Sequence, residues 1–310
     1  MNMIENRIYT GEPEYEKSYW YIMRGSVHDM GKIEKGRSSD TGTFALPNTS
    51  NNKYTKAVEG ESLFRKIATV HHAYHADYRI FAKDCSDLAQ FVPEGGSIPI
   101  YDGVRDFTSY TLESWKLAVF VKFDEDFIHD VTFDFENHLT HRLAKDFGKA
   151  ETQGFINGTG VQMPTGILHD TKGAEVGATA ATLTYDDVIK LYFSVKEEYR
   201  SKAVWLMNDE TAMALRTMKD NAGNYLWRDS DDTIFGKKVE ITEFMAGTEA
   251  GNKPIAFGDF SYYWMVGRTP VSVRPITENF AVYDQIGYLA FEFIDGKLIR
   301  PDAIKVIQMA

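Results

Sequence analysis

Gly154-Phe-Ile-Asn-Gly-Thr-Gly-Val-Gln-Met-Pro-Thr-Gly-Ile-Leu168 follows directly on a run, Phe133 to Gln153, in which apolar residues return every three or four positions. Phe135, Leu139, Leu143, Phe147 and Ala150 fall on one face of a helix with that period. Glu136, His138, Arg142, Lys145, Asp146 and Lys149 occupy the other. A short oxygen side chain satisfies an orphan backbone N–H at a helix start, and Thr132 or Asp134 is placed for it. From Asp134 to Gln153 such a helix extends about 30 Å. Gly154 is expected to end it. Gly158, Gly160 and Gly166 then give backbone angles closed to other residues, and Pro164 fixes one more. A long rod leading into a tightly specified turn organises the rest of the chain around it.

The bulk properties narrow the class. The chain has 310 residues, enough for one large or two ordinary domains. It is 43% hydrophobic and 14% aromatic, which supports a real core and argues against disorder. With 34 Lys+Arg against 45 Asp+Glu the net charge is −11, a poor basis for general nucleic-acid binding, which rests on neutralising phosphates. No apolar run approaches the roughly 18 residues of a membrane span, and no signal-peptide pattern is read. The single cysteine, Cys85, forms no internal disulfide, so the expectation is a soluble protein made in a reducing cytoplasm, with no membrane partner.

Residues 1–60 read as an arm. Tyr15, Tyr19 and Ile22/Met23 fit one short amphipathic helix, followed by scattered glycines, a Ser/Thr/Asp tract and an Asn/Ser/Thr-rich stretch from Asn48. Such a segment buries little alone, so its aromatics are expected to pack against something else, a neighbouring subunit being one candidate. Residues 80–122 read as a long hairpin broken at Pro93-Glu94-Gly95-Gly96 and at Asp102-Gly103, with its middle projecting from the body. From Trp115 through Leu117, Val119 and Val121 the period is two, a half-buried strand. Thr184 caps a helix with Val188, Leu191 and Val195 inside; Ala203 to Met207 is a strand; Asp209 caps a second helix with Met213, Leu215 or the stem of Arg216, and Met218 inside. From Lys237 the pattern is mostly strand, and Asp295-Gly296 has the composition of a hairpin turn.

Chemistry is sparse. The glycine turn lacks Gly-Lys-Ser/Thr, Met163 stands where a dinucleotide fingerprint needs its third glycine, and a helix, not a strand, precedes it. His71, His72 and His75 have no partner set of Glu or Cys, and His138 and His141 lie beside the helix's polar face. No nucleophile motif or paired-cysteine spacing occurs. No catalytic residue, metal ligand or cofactor is assigned, and the chain reads as not an enzyme.

Taken in order, several stretches resemble one family. Leu88-Ala-Gln-Phe-Val-Pro-Glu94-Gly-Gly, Leu117 to Lys122, Asp124 to Asp130, Asn157-Gly-Thr-Gly160, Met163-Pro-Thr-Gly-Ile167, Trp205 to Asn208, Leu215 to Asp220, Gly223, Gly258-Asp-Phe260 and Gly296 to Ile307 resemble tailed-phage major capsid proteins of the Hong Kong 97-type fold. The resemblance covers about residues 60–310. It implies an α+β fold with an N-terminal arm over 1–60 and an extended-loop hairpin with flanking strands over 61–122. The peripheral domain with its spine helix would follow over 123–164, the axial domain over 165–257, and return strands with a final axial strand over 258–310. It further implies a virion shell protein with no cofactor, self-assembling as pentamers and hexamers around double-stranded DNA without sequence-specific contact and assembled in the bacterial cytoplasm. Scaffolding, portal or decoration proteins would be its partners. The residues expected to matter are then the turn (Gly154, Gly158, Gly160, Pro164, Gly166), the extended loop (Glu94, Gly95, Gly96, Asp102, Gly103) and the arm (Tyr15, Tyr19, Trp20).

Many relatives begin with a cleaved scaffolding segment, whereas this chain starts at Met1. Scaffolding is then a separate protein, or not needed, or the numbering starts late. Lys83 lies in the hairpin, but no motif aligns it with a crosslinking lysine. An encapsulin-type nanocompartment shares the fold and is the first rival; a metal- or nucleotide-dependent hydrolase is the remote one.

Overall fold

The computed structural model describes residues 8–26, 43–72, 78–83, 92, 100, 107–130, 132–227 and 232–310. In chain order the helices are α1 Pro13–Met23, α2 Asn48–Glu61, α3 Leu63–Ile67, α4 Glu125–His129, α5 Phe135–Asn157, α6 Tyr185–Ser194, α7 Glu197–Arg200 and α8 Asp209–Thr217. The strands are β1 Phe44–Ala45, β2 Thr69–His72, β3 Tyr78–Lys83, β4 Phe107–Leu112, β5 Trp115–Asp124, β6 Glu175–Ala180, β7 Val204–Met207, β8 Thr233–Ile234, β9 Lys237–Ile241, β10 Ile255–Gly258, β11 Tyr263–Ile276, β12 Gln285–Leu298 and β13 Ile304–Met309.

Two sheets carry the architecture. One runs β1-β11-β12-β5, with β2 parallel to the first part of β11. The other runs β6-β13-β10-β7-β9-β8. β3 and β4 pair with each other as a separate antiparallel ribbon.

The period-two reading of β5 holds along its length, with Trp115, Leu117, Val119 and Val121 half-buried and Lys116, Ala118, Phe120 and Lys122 exposed. In the second sheet the same alternation separates two cores. Trp205, Met207, Ile255, Phe257 and Ile307 face the cluster that includes Val188, Leu191 and Leu215 of α6 and α8. Leu206, Ala256, Ile304 and Val306 point the other way, into a cluster with Phe155 and Ile156 at the end of α5 and Tyr263 and Met265 of β11. The two sheets therefore meet across the last turn of α5.

The long helix forms as expected, with Asp134 as N-cap accepting a hydrogen bond from the Asn137 N–H at 3.1 Å. Phe135, Leu139, Leu143 and Phe147 are buried. Its end differs from expectation. Gly154 lies inside the helix, which runs on to Asn157 with Gly158 as C-cap, because Phe155 and Ile156 are fully buried and hold the extra turn.

Four other expectations are corrected. Tyr15, Tyr19 and Trp20 do not wait for a neighbour; they are buried in this chain's own core with Phe135, Leu139 and Tyr288. The Tyr15 hydroxyl donates to the Ala45 carbonyl and the Tyr288 hydroxyl to the Met23 carbonyl, both at 2.7 Å. The Asn-rich stretch is helix α2, whose buried residues Ser50, Tyr54 and Val58 recur every four positions. Asp295-Gly296 is no turn: β12 runs straight through it, with Asp295 opposite Val266 and Gly296 opposite Met265. Gly296 is there because a Cβ would stand 2.6 Å from the Tyr263 hydroxyl oxygen. In α8 the N-cap is Asn208, accepting from the Thr211 N–H at 2.8 Å, and the buried face is Ala212 and Leu215, with Met213 exposed.

Candidate functional site

The turn after α5 is a small hairpin laid back against the helix end. Thr159 and Thr165 form an antiparallel bridge, and the Gly160 N–H donates to the Pro164 carbonyl at 3.1 Å. The Gly166 N–H donates to the Gly158 carbonyl, Ile167 N–H to Phe155, and Leu168 N–H to Ile156, so the returning chain takes up carbonyls that the helix end leaves open. The Thr165 N–H donates to Gly296 and its carbonyl accepts from the Tyr263 hydroxyl at 2.9 Å, tying the hairpin to β11 and β12.

The four glycines of this turn have different reasons to be there. Gly160 alone of them adopts a positive φ, +72°, and a Cβ on it would lie 2.7 Å from Thr165 Oγ1. Gly158 has an ordinary φ of −63°, but a Cβ would stand 2.2 Å from the Pro164 carbonyl oxygen. At Gly166 a Cβ would meet the Ile156 oxygen at 2.4 Å. Gly154 has room, its nearest neighbour being Pro164 Cδ at 3.8 Å. Val161 and Met163 stand exposed at the tip.

One helical turn back lies a buried ionic cluster that the sequence reading missed. Arg65 of α3 donates from Nε to Glu151 Oε2 at 2.9 Å and from Nη2 to Glu292 Oε1 at 2.8 Å. The Tyr54 hydroxyl donates to Glu292 Oε2 at 2.8 Å. Two carboxylates thus share one guanidinium, and α2, α3, α5 and β12 meet at the same point. Burial, reinforced by Glu151 and opposed by Arg65, pushes the Glu292 carboxyl up to about 7. Burial works against the Arg65 charge, but Glu151 and then Glu292 outweigh it and hold the guanidinium protonated. Burial also raises Tyr54, with Glu292 adding to it. The signal was present in the sequence: Glu151 continues the i+4 series 135, 139, 143, 147 on the apolar face, and Glu292 interrupts Leu289-Ala-Phe-Glu-Phe-Ile294.

Nearby, Asp295 is fully buried and accepts from the Glu113 and Gly296 N–H groups, both at 2.8 Å. Burial pushes it up to about 6, against those two hydrogen bonds.

Glu94, Gly95, Gly96, Asp102 and Gly103 lie outside the described residues. The strands that flank them, β3 and β4, pair in register from Tyr78 opposite Leu112 to Lys83 opposite Phe107. His71 and His72 end β2, and among the described residues no three His, Cys, Asp or Glu side chains gather as a metal site. No helix among those residues is long and apolar enough to cross a membrane.

The family model described as the phage capsid family matches residues 42–309. Among solved structures the chain is similar to the capsid of a native GTA (gene transfer agent) particle computed with C5 symmetry. The identity is 27%, covering 89% of this chain and 95% of that one, with a TM-score of 0.67. For the capsid of the empty GTA particle the identity is 26%, the coverage 92% and 98%, and the TM-score 0.65. A chain of Microbacterium phage Oxtober96 shares the fold at 18% identity, with 81% and 91% coverage and a TM-score of 0.61. Among curated proteins none matches. With two sheets joined at the end of one long helix and a family match over residues 42–309, the chain belongs to the phage capsid family and has the Hong Kong 97-type fold.

Proposed function

We propose that this chain is the major capsid protein of a tailed-phage-type particle, assembling as pentamers and hexamers into an icosahedral shell around double-stranded DNA. The observation that carries this reading is the family match over residues 42–309, together with two GTA capsid chains covered over 95% and 98% of their length. On this reading the sheet of β11, β12 and β5 with α5 is the peripheral domain, and the sheet of β13, β10 and β7 is the axial domain. The β3–β4 ribbon is the base of the extended loop. The protein's work is mechanical: it holds a repeated shape and contacts its own copies. Val282 and Tyr283, 88% and 71% exposed in the link from β11 to β12, are apolar surface suited to such a contact. Scaffolding, portal and decoration proteins are partners of the same proposal, as is assembly in the host cytoplasm.

Light scattering and negative-stain microscopy of the purified chain test it, with nuclease digestion of any contents. Megadalton shells or capsomer-sized rings, with protected DNA from a full lysis, are expected. A monomer under all salt and concentration conditions would count against the shell, and an enzyme enclosed in place of DNA would favour a nanocompartment.

A further inference from the structure

The β3–β4 ribbon is tied to the body where β4 ends. The Tyr110 hydroxyl donates to the Ile299 carbonyl at 2.9 Å, and Lys297 Nζ donates to the Thr111 carbonyl at 2.7 Å. The Glu113 N–H donates to Asp295 Oδ2 at 2.8 Å. Leu112, between these ties, is fully buried against Val266 and Trp264. All three polar anchors fall within residues 295–299, where β12 ends. On one side of this joint a cavity of about 350 Å³ opens between Tyr110 and Glu113 and the glycine hairpin at Gly160 and Thr165, so the ribbon's base has room to shift.

Asp295 stands at the centre of the joint and is fully buried. Its Oδ1 takes the N–H of Gly296 on its own strand, and its Oδ2 takes the N–H of Glu113 at the ribbon's root. One carboxyl group therefore spans the boundary between ribbon and body. The charged and titratable groups that face it are Glu113 from the link to β5, Lys297 of β12 with Nζ 3.9 Å from Oδ2, and Tyr263 of β11. Lys172 lines the same cavity as Lys297. We propose that Asp295 is a proton-controlled latch on the ribbon: neutral, it keeps the base seated on residues 295–299; ionised, it draws water in and lets the base lift. A buried charge is costly and a hydrated one is not. Burial pushes the carboxyl up to about 6, against the two N–H bonds and Lys297, with the Glu113 charge adding to the rise. Lifting Glu113 away removes that burial and returns the group toward its ordinary 3.8. The seated state thus binds the proton more tightly than the lifted one. Its advantage is fully present below about pH 4 and is lost as pH rises through about 6. On the shell reading the latch sets how freely the extended loop reaches a neighbouring copy, but the joint belongs to the single chain.

The test is hydrogen exchange of the unassembled full-length chain between about pH 4 and about 8, corrected for base catalysis and read on a peptide covering residues 107–114. Opening of these amides should rise about tenfold per pH unit up to about pH 6 and then level off, about 100-fold in all. Amides of β7, in the middle of the other sheet, report global unfolding and should open less often throughout. Asp295→Asn cannot ionise and should flatten the rise. Lys297→Met removes the bond to Thr111 and the charge that holds the carboxyl down, so opening should increase at every pH and the rise should continue above about pH 6. Tyr110→Phe loses only the bond to Ile299; opening should increase at every pH with the shape of the profile unchanged. An unchanged rise in Asp295→Asn would overturn the latch, as would a ribbon that opens no more often than β7. If Asp295→Asn does not fold, the Lys297→Met profile decides: a rise that ends at the parent's pH means that Asp295 is not the group that titrates. No step requires a shell, so failure here leaves the assembly reading untouched, and failure to assemble leaves the latch.

Discussion

Arg65 Nη2 lies 2.8 Å from Glu292 Oε1, and neither side chain is more than 6% exposed. Those atoms join a short helix near the start of the chain to a strand near its end, in a place where water cannot replace either partner. Removing the cation leaves two buried carboxylates facing each other. Arg65→Ala is expected to cost about 3–5 kcal/mol, the usual cost of breaking a buried pair from one side. The double change Arg65→Ala/Glu151→Gln should recover part of that loss. Urea unfolding of the unassembled chain measures both, and equal stability of single and double variants would mean that the carboxylates are not the source of the cost.

The same cluster sets a pH dependence. Burial raises the Glu292 carboxyl from 4.5 to about 7, so between those values the folded chain binds a proton that the unfolded chain does not. Its contribution to stability is fully present below about pH 4.5 and is lost as pH rises through about 7, at most about 3 kcal/mol. Asp295, raised from 3.8 to about 6, has the same sign in a lower window. Stability should therefore fall from about pH 4 to about 7 and level off above it, and Glu292→Gln should flatten the part above about pH 6 while leaving the lower part in place. A parent profile flat from pH 6 to 8 would refute the assignment.

At the turn after α5, four glycines that look alike in the sequence should respond differently. Gly160→Val forces a β-branched residue to φ +72° and should cost about 1–3 kcal/mol, giving aberrant assemblies or none. Gly166→Ala and Gly158→Ala should also fail, because their Cβ atoms would fall within 2.5 Å of backbone. Gly154→Ala should be tolerated or stabilise by about 0.5–1 kcal/mol, since it removes a helix-interior glycine and meets nothing closer than 3.8 Å. Thermal melts and microscopy of the four variants give the ranking; uniform tolerance would mark the hairpin as a mere linker.

Removing residues 1–45 should unfold the body, not merely impair assembly. The deletion takes Tyr15, Tyr19, Trp20, Ile22 and Met23 out of a core they share with Phe135 and Tyr288. Trp20→Ala alone should cost about 3–5 kcal/mol. Circular dichroism of the truncated chain decides: a cooperative melt near that of the parent would show that this helix is dispensable to the fold.

What could be read in the sequence was what depends on period and local chemistry. The long helix, the alternation of β5 and the Thr184 N-cap all follow from neighbours a few residues apart. Partners distant in the chain set the rest. Asp295-Gly296 has turn composition, and only the approach of Tyr263 makes its glycine a strand residue. Tyr15 and Trp20 are apolar and need a partner, but period does not say whose core receives them. Gly154 carries a stop signal that Phe155 and Ile156 override by burial. Glu151 and Glu292 stood on apolar faces as charges without visible counterions, because Arg65 is 86 and 227 residues away from them. The residues of the extended loop, Glu94 to Gly96 and Asp102-Gly103, were placed by resemblance, and their geometry is outside what is described.

β12 carries Tyr288 and Ala290 in one core and Ile294 and Leu298 in another, and is laddered to β11 on one side and β5 on the other. A pull along its axis strains those rungs together in shear, so none is unzipped ahead of the others. A wall made of such subunits resists outward pressure as a laminate does.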